Sequence, residues 1–583
     1  MEQEYRNRRI ALAKRRRRRT LMTRIIVFII LIVSVIGGAF LIKKYGPSKE
    51  TVNLNKYFGI KQENQLAVTI DNEIIGAKGT MIDGEPYVEY AVIRDYLNGR
   101  IYLDVNENIL LYTLPEGTIR AQVGSKDYTY QKETESVDYT IFKMEGQTAY
   151  IALKFVQEYT NMEYEVYEKP DRVMIVSEWG ETTVATVKKQ AQLRENGDIK
   201  SPIIKGVSKK SQVTVIEEEG NWKKVRTQDG FIGYLKSNSL KDEEKEIIQR
   251  NFKEQEYPNI SKDYTINLAW HAVTSSTASS SVLEMIANSN GLTTISPTWF
   301  TVQNTDGRLT SLASEQYVNY AHQSNIEVWA LVNDYDGGID SYEDTYELLS
   351  HTTSRENLIN RLMAEALRTD LDGINIDFER VSEECMEHYM QFLRELSLKC
   401  RQNGIILSVD NYVLRDNIAP RYLKEQGEIV DYVIVMGFDE HHRTSGESGS
   451  VSSVNYVKTG IEETLQVVPE EKVISAVPFF TRLWIETPVS ETEAEITSRV
   501  YGMTGSRNVI EEANATIGMD EEAGQNYAQW EADGATHRIW LEDEMSLEAK
   551  LQLMKEYHLA GHAAWRLGYE RSDVWELILK YVN

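Results

Sequence analysis

Asp372-Gly-Ile-Asn-Ile-Asp-Phe-Glu379 sets three polar side chains at alternate positions of an otherwise apolar stretch. In an extended strand, positions 375, 377 and 379 share one face while Ile374, Ile376 and Phe378 share the other. Placing an Asp and a Glu together on an inward face costs free energy unless chemistry needs them there. The bland alternative is a buried strand with a few satisfied carboxylates, and unpaired buried acids are rare.

Around this stretch, from Ile266 onward, short apolar strands alternate with helical segments, the signature of parallel β/α units. Eight strands are predicted: Ile266–Trp270, Thr293–Ser296, Glu327–Val332, Gly373–Phe378, Gly404–Val409, Tyr432–Met436, Val473–Val477 and Gly561–Trp565. Eight such units are what a closed (β/α)₈ TIM barrel, an α/β fold, requires, with catalytic groups at the C-terminal strand ends where Glu379 falls. An insertion from about Trp484 to Asp543, between strands seven and eight, would build one wall of a cleft.

The motif resembles that of glycoside hydrolase family 18, whose fourth barrel strand carries Asp-x-x-Asp-x-Asp-x-Glu. The matching residues are Asp372, Asn375, Asp377 and Glu379, so an amide replaces one carboxylate. With that Asn the chain is similar to the branch of spore-cortex and peptidoglycan-active N-acetylglucosaminidases, over residues 260–583. The resemblance implies a retaining glycosidase in which the acetamido group of the substrate is the internal nucleophile. Glu379 would protonate the leaving oxygen, Asp377 would orient the acetamido N–H, Asn375 would hydrogen-bond Asp377, and Asp372, of opposite parity, would support the strand from behind. The partner implied is an N-acetylated glycan (peptidoglycan, spore cortex or chitin), with no cofactor and no metal.

Other strand ends extend the resemblance. Met436-Gly-Phe438-Asp439 stands where the family has Met-x-Tyr-Asp, and Trp565 where the eighth strand offers an aromatic floor beneath the sugar. Phe438 lacks the hydroxyl that holds the acetamido oxygen, and Tyr412 at the end of strand five is the candidate substitute. Trp270, Asp410, Asn411, Arg482 and Trp484 occupy similar positions and are candidate sugar contacts. His441 and His442 read as a solvated loop, since no further His or Cys lies at a ligand spacing.

The charge of −25 hides an asymmetry. Residues 1–24 carry ten Lys and Arg against Glu2 and Glu4, which leaves an acidic remainder of about −33. That remainder argues against a nucleic-acid surface, which needs clustered positive charge. Ile25 to Ile42 follows without a charge and spans ~27 Å as a helix, enough for a hydrocarbon core. The Arg-rich flank predicts residues 1–24 as a cytoplasmic tail and 25–42 as a single membrane span, with everything beyond outside the cell or in the intermembrane space of a forming spore. A cleaved signal peptide is the competing reading, against which no small-x-small cleavage site stands after the run.

Residues 45–178 read as a small α+β domain with a repeat in which Gly84, Tyr87 and Tyr96 answer to Gly146, Tyr150 and Tyr159. This module is similar to the N-terminal-like domain of copper amine oxidases, but all nine histidines lie at or beyond His271, leaving it no imidazole or thiol for copper. Residues 181–240 resemble the bacterial SH3-like barrels that accompany cell-wall enzymes, on Gly220-Asn-Trp222 and Asp229-Gly-Phe-Ile-Gly233-Tyr234. Residues 241–259 are predicted as a charged helical linker. Cys385 and Cys400 fall in one predicted helix about 22 Å apart, too far for the ~7 Å limit of a disulfide. The reading is therefore a membrane-anchored glycan hydrolase, alternatively a wall-binding scaffold that has lost turnover.

Overall fold

The computed structural model describes residues 1–413, 420–490 and 492–582, apart from the side chains at 39, 42, 276 and 278. The chain forms two compact units: one holds residues 1–99 and 139–253, the other 100–138 and 254–583.

The second unit is built on a closed barrel of eight parallel strands: β1 Ile266–His271, β2 Thr294–Pro297, β3 Glu327–Asn333, β4 Gly373–Asp377, β5 Ile406–Tyr412, β6 Tyr432–Met436, β7 Val473–Pro478 and β8 Gly561–Trp565. Closure comes from β1 pairing with both β2 and β8, and from β2 pairing with β3. All eight predicted strands are present. Their near-continuous apolar runs are explained by burial on both faces. Leu268, Leu331, Ile406 and Ile434 fill the barrel, while Ile374, Ile376, Val409 and Val433 pack outward against the helices. Gly373 opens β4 because a Cβ there would stand 2.7 Å from the indole of Trp329. Between β7 and β8 the chain leaves the barrel to form a five-stranded antiparallel sheet from Phe480 to Trp540, with the helix Met503–Glu512 packed on it.

Residues 100–138 depart from the expected boundary of 45–178. They form a separate five-stranded sheet that groups with the barrel. Asp104 accepts hydrogen bonds from the backbone N–H and hydroxyl of Thr352, 2.6 Å each, at the start of the helix Thr352–Thr369. Fully buried Arg355 donates to the hydroxyl of Tyr102, and Gln391 donates to Thr113. These polar ties, which no local pattern announces, fasten the sheet to the barrel helices.

In the first unit each half of the expected repeat contributes a strand followed by a helical segment. Glu85–Glu89 runs into helical residues 90–97, and Thr148–Ala152 into the helix Leu153–Tyr159; the two strands pair antiparallel. The second copy continues into the hairpin Glu163–Tyr167 and Arg172–Val176, which joins the same sheet.

A second sheet of seven antiparallel strands spans Gly180 to Ile248, with Leu193, Val225, Phe231 and Leu235 in its core. The expected helical linker is corrected here: Leu240–Ile248 is an edge strand paired with Gly180–Val187. Its Lys and Glu side chains favour a helix locally, but the open backbone edge of the neighbouring strand takes the segment, and charges suit an exposed edge. At the N-terminus, Glu2–Tyr45 is one helix long and apolar enough to cross a membrane.

Candidate active site

The C-terminal ends of β4 and β5 carry the candidate catalytic side chains. Asn375 stands opposite Ser408 and Ile376 opposite Val409, so the next residues, Asp377 and Asp410, lie side by side. One step further, Tyr412 reaches across to Glu379. The inward face therefore has three rungs: Asn375 with Ser408, Asp377 with Asp410, and Glu379 with Tyr412.

The hydrogen bonds follow these rungs. Asn375 Nδ2 donates to Ser408 (3.0 Å) and Asp410 (2.8 Å), while its Oδ1 accepts from the indole N–H of Trp270 (3.0 Å). The expected Asn375–Asp377 bond is replaced by this bond to Asp410, because alternate residues on one strand lie farther apart than neighbours across the ladder. Asp377 instead accepts from the hydroxyl of Tyr335 at 2.8 Å. Tyr412 donates to Glu379 Oε2 at 2.5 Å. The backbone N–H of Glu379 donates to Asp334, which also accepts from the N–H of Arg380 and the hydroxyl of Thr345, so the loop beyond β4 is pinned from below.

Burial pushes the Asp377 carboxyl well above the usual carboxylate range; Asp410 and Glu379 add to the rise and Tyr335 opposes it. Burial likewise lifts Asp410 to about 8, against the bond from Asn375 and with the charge of Glu379. Glu379 is raised too, first by loss of hydration, with Tyr412 pulling it back and Asp334, Asp439 and Asp336 adding. Glu379 is exposed at the cavity mouth, so solvent screens part of this effect. A carboxyl raised in pKa and open to a cleft is placed as a general acid would need to be.

A cavity of about 720 Å³ opens at these strand ends, lined by Glu379, Asp410, Asn411, Tyr412, Met436 and Asp439, among others. Asp439 takes a left-handed backbone, φ 58°, and stands 3.9 Å from Arg482. Trp565 is half-buried beside Trp270, with ring centroids 5.8 Å apart.

Several expected contacts are corrected. Asp372 sits at the opposite end of β4, where it accepts from the Val328 N–H and meets His322, beside a different cavity. Trp270 is buried and its N–H is spent on Asn375, so it positions that amide and offers no open face. Trp484 is buried and donates to the carbonyl of Gly449, a structural tie for the sheet between β7 and β8. Asn411, by contrast, lines the cavity as expected, with its Nδ2 donating to Gln426. Phe438 is buried between Trp270 and Phe480. Among the described residues no group of three His, Cys, Asp or Glu is placed to hold a metal ion; His441 bonds the Ser450 carbonyl and His442 meets Thr444.

Asp334 and Tyr335 are candidate site residues that the sequence alone does not single out. The signal was present as the polar run Asn333-Asp334-Tyr335-Asp336 at the end of β3, a strand end at the catalytic face of a barrel.

Comparison with known proteins bears on this arrangement. The model of glycosyl hydrolases family 18 matches residues 231–570, and that of the bacterial SH3 domain residues 189–241. The uncharacterized glycosylase YvbX of Bacillus subtilis (strain 168) is 25% identical over 284 residues, 47% of this chain and 80% of that protein. The cortical fragment-lytic enzyme of Bacillus subtilis (strain 168) is 26% identical over 250 residues, 40% of this chain but only 56% of that protein. The crystal structure of the Bacillus cereus spore cortex-lytic enzyme SleL shares the fold, with a TM-score of 0.50 at 22% identity, covering 56% of this chain and 76% of that one. With the family model matched over more than half its length and an acid pair at the end of its fourth barrel strand, this chain belongs to glycosyl hydrolases family 18 and is a glycoside hydrolase.

Proposed function

We propose that the chain is a membrane-anchored, outward-facing hydrolase of β-linked N-acetylglucosamine polymers, with peptidoglycan or spore cortex as substrate ahead of chitin. The observation that carries this reading is the pairing of an open Glu379, its pKa raised by burial, with an Asp377 one rung deeper. The cortex-lytic names of the relatives and the SH3 domain favour a wall polymer, and the apolar N-terminal helix favours an anchor.

In this mechanism Glu379 gives its proton to the glycosidic oxygen as the bond to the anomeric carbon breaks. The acetamido carbonyl oxygen bonds to that carbon from the opposite face, and Asp377 holds the acetamido N–H and offsets the charge that develops. Water deprotonated by Glu379 then opens the cyclic intermediate, so configuration is retained. Phe438 supplies no hydroxyl for the acetamido oxygen, whereas Tyr335 and Tyr412 bring two hydroxyls to the same pair of acids.

The test is digestion of purified cell wall and cortex by the full chain in detergent, read by the mass of released fragments. Reducing-end N-acetylglucosamine from the wild type and its loss in Glu379→Gln support the reading. Binding without release by either protein would instead mark a scaffold.

A further inference from the structure

We propose that Asp377 and Asp410 hold one proton between them and act as a single negative charge, with Asp410 as a positioning residue that fixes the state of Asp377. The role of this pair in turnover rests on the glycosidase reading, whereas the proton itself does not.

The ladder register puts the two carboxyls on adjacent strands at one level, strands that lie ~4.8 Å apart. Each has one oxygen engaged: Asp377 Oδ2 accepts from Tyr335, and Asp410 Oδ1 accepts from Asn375. The other two, Asp377 Oδ1 and Asp410 Oδ2, are buried and accept from no described residue. A buried carboxylate oxygen without a donor is costly, and two such anions side by side repel strongly in a medium of low polarity. One proton between the two leftover oxygens removes both penalties.

The described residues around the pair supply no other remedy. Facing the pair are Tyr335 and Asp334 from the end of β3, Glu379 beyond β4, Tyr412 on β5 and Tyr389 from the helix Met386–Gln402. All are acidic or neutral. Arg380 spends its guanidinium on the carbonyls of Asp334 and Ile339. Asn375 cannot take the proton either, since its amide already donates to Ser408 and Asp410 and accepts from Trp270. Burial raises both acids, in line with a proton retained near neutral pH.

Such a pair presents one anion to the acetamido N–H, with its free rotation stopped at both ends. The test counts protonated carboxyls by infrared difference spectroscopy on the full chain in detergent, with Glu379→Gln as the common background so that the proton on Glu379 does not contribute. At pH 7, introducing Asp410→Asn, Asp377→Asn or both together is expected to remove the same intensity, that of one protonated carboxyl. Twice the intensity lost in the double variant would mean two independent protons, and no loss would mean two separate anions; either result overturns the proposal. The three variants check one another, so failure of one to fold leaves two readings. If the wild type released no glycan while the count held at one, the function would fall and the shared proton would stand.

Discussion

Tyr412 on β5 sets its hydroxyl 2.5 Å from Oε2 of Glu379, one rung outward from the side-by-side pair of Asp377 and Asp410. The bond favours the charged form of Glu379 and so lowers a pKa that burial raises. Removing the hydroxyl in Tyr412→Phe lifts the Glu379 pKa further, so its acid form persists to higher pH. The alkaline limb of the kcat/KM profile should therefore move upward in pH; a limb that stays in place would show that Glu379 is not the group it reports.

Tyr335 is the one described donor to Asp377. Tyr335→Phe takes away a bond to a charged group, worth about 1.5–3 kcal/mol, and pushes Asp377 further toward its neutral form. Turnover is expected to fall by about tenfold to a hundredfold, on the basis of ~1.4 kcal/mol per tenfold, with KM changing less than kcat.

Two tryptophans near the site separate by role. Trp484→Phe should lower stability by ~1 kcal/mol through loss of its bond to Gly449, seen in urea unfolding, with KM unchanged. Trp565→Ala should leave a folded protein whose KM for glycan rises roughly tenfold, as loss of an aromatic face beneath a sugar would give. The reverse pattern would exchange the two assignments.

Asp104 caps a helix from a strand almost 250 positions earlier in the chain. Asp104→Ala leaves the Thr352 N–H and hydroxyl without their acceptor and should cost about 2 kcal/mol, measured by denaturant unfolding of the barrel signal. For the same reason, removing residues 45–240 as a block strips residues 100–138 from the barrel's own unit and should destabilise it.

The barrel was legible because strands buried on both faces must be apolar throughout, which made eight runs stand out against helical periodicity. The motif was legible because alternate acids on such a strand have few structural uses. What escaped was set by contacts across strands and between distant segments. The partner of Asn375 is Asp410 because ladder neighbours are nearer than the next residue on the same face. Asp334 and Tyr335 lie in a loop whose direction only the fold determines. Trp270 and Trp484 look like sugar platforms in sequence, since strand-end position says nothing about which way a ring turns. Leu240–Ile248 became a strand against its local preference because a neighbouring backbone edge needed partners.

The most direct measurement is hydrolysis of matched wall glycans, one N-acetylated and one chemically de-acetylated, by wild type and Glu379→Gln. Internal attack by the acetamido group requires release from the acetylated polymer alone, and the loss of general acid catalysis should cut that release by about 10²–10⁴-fold in the variant. Equal hydrolysis of both polymers, or equal product from both proteins, would contradict the assignment of Glu379 as the acid in a substrate-assisted reaction.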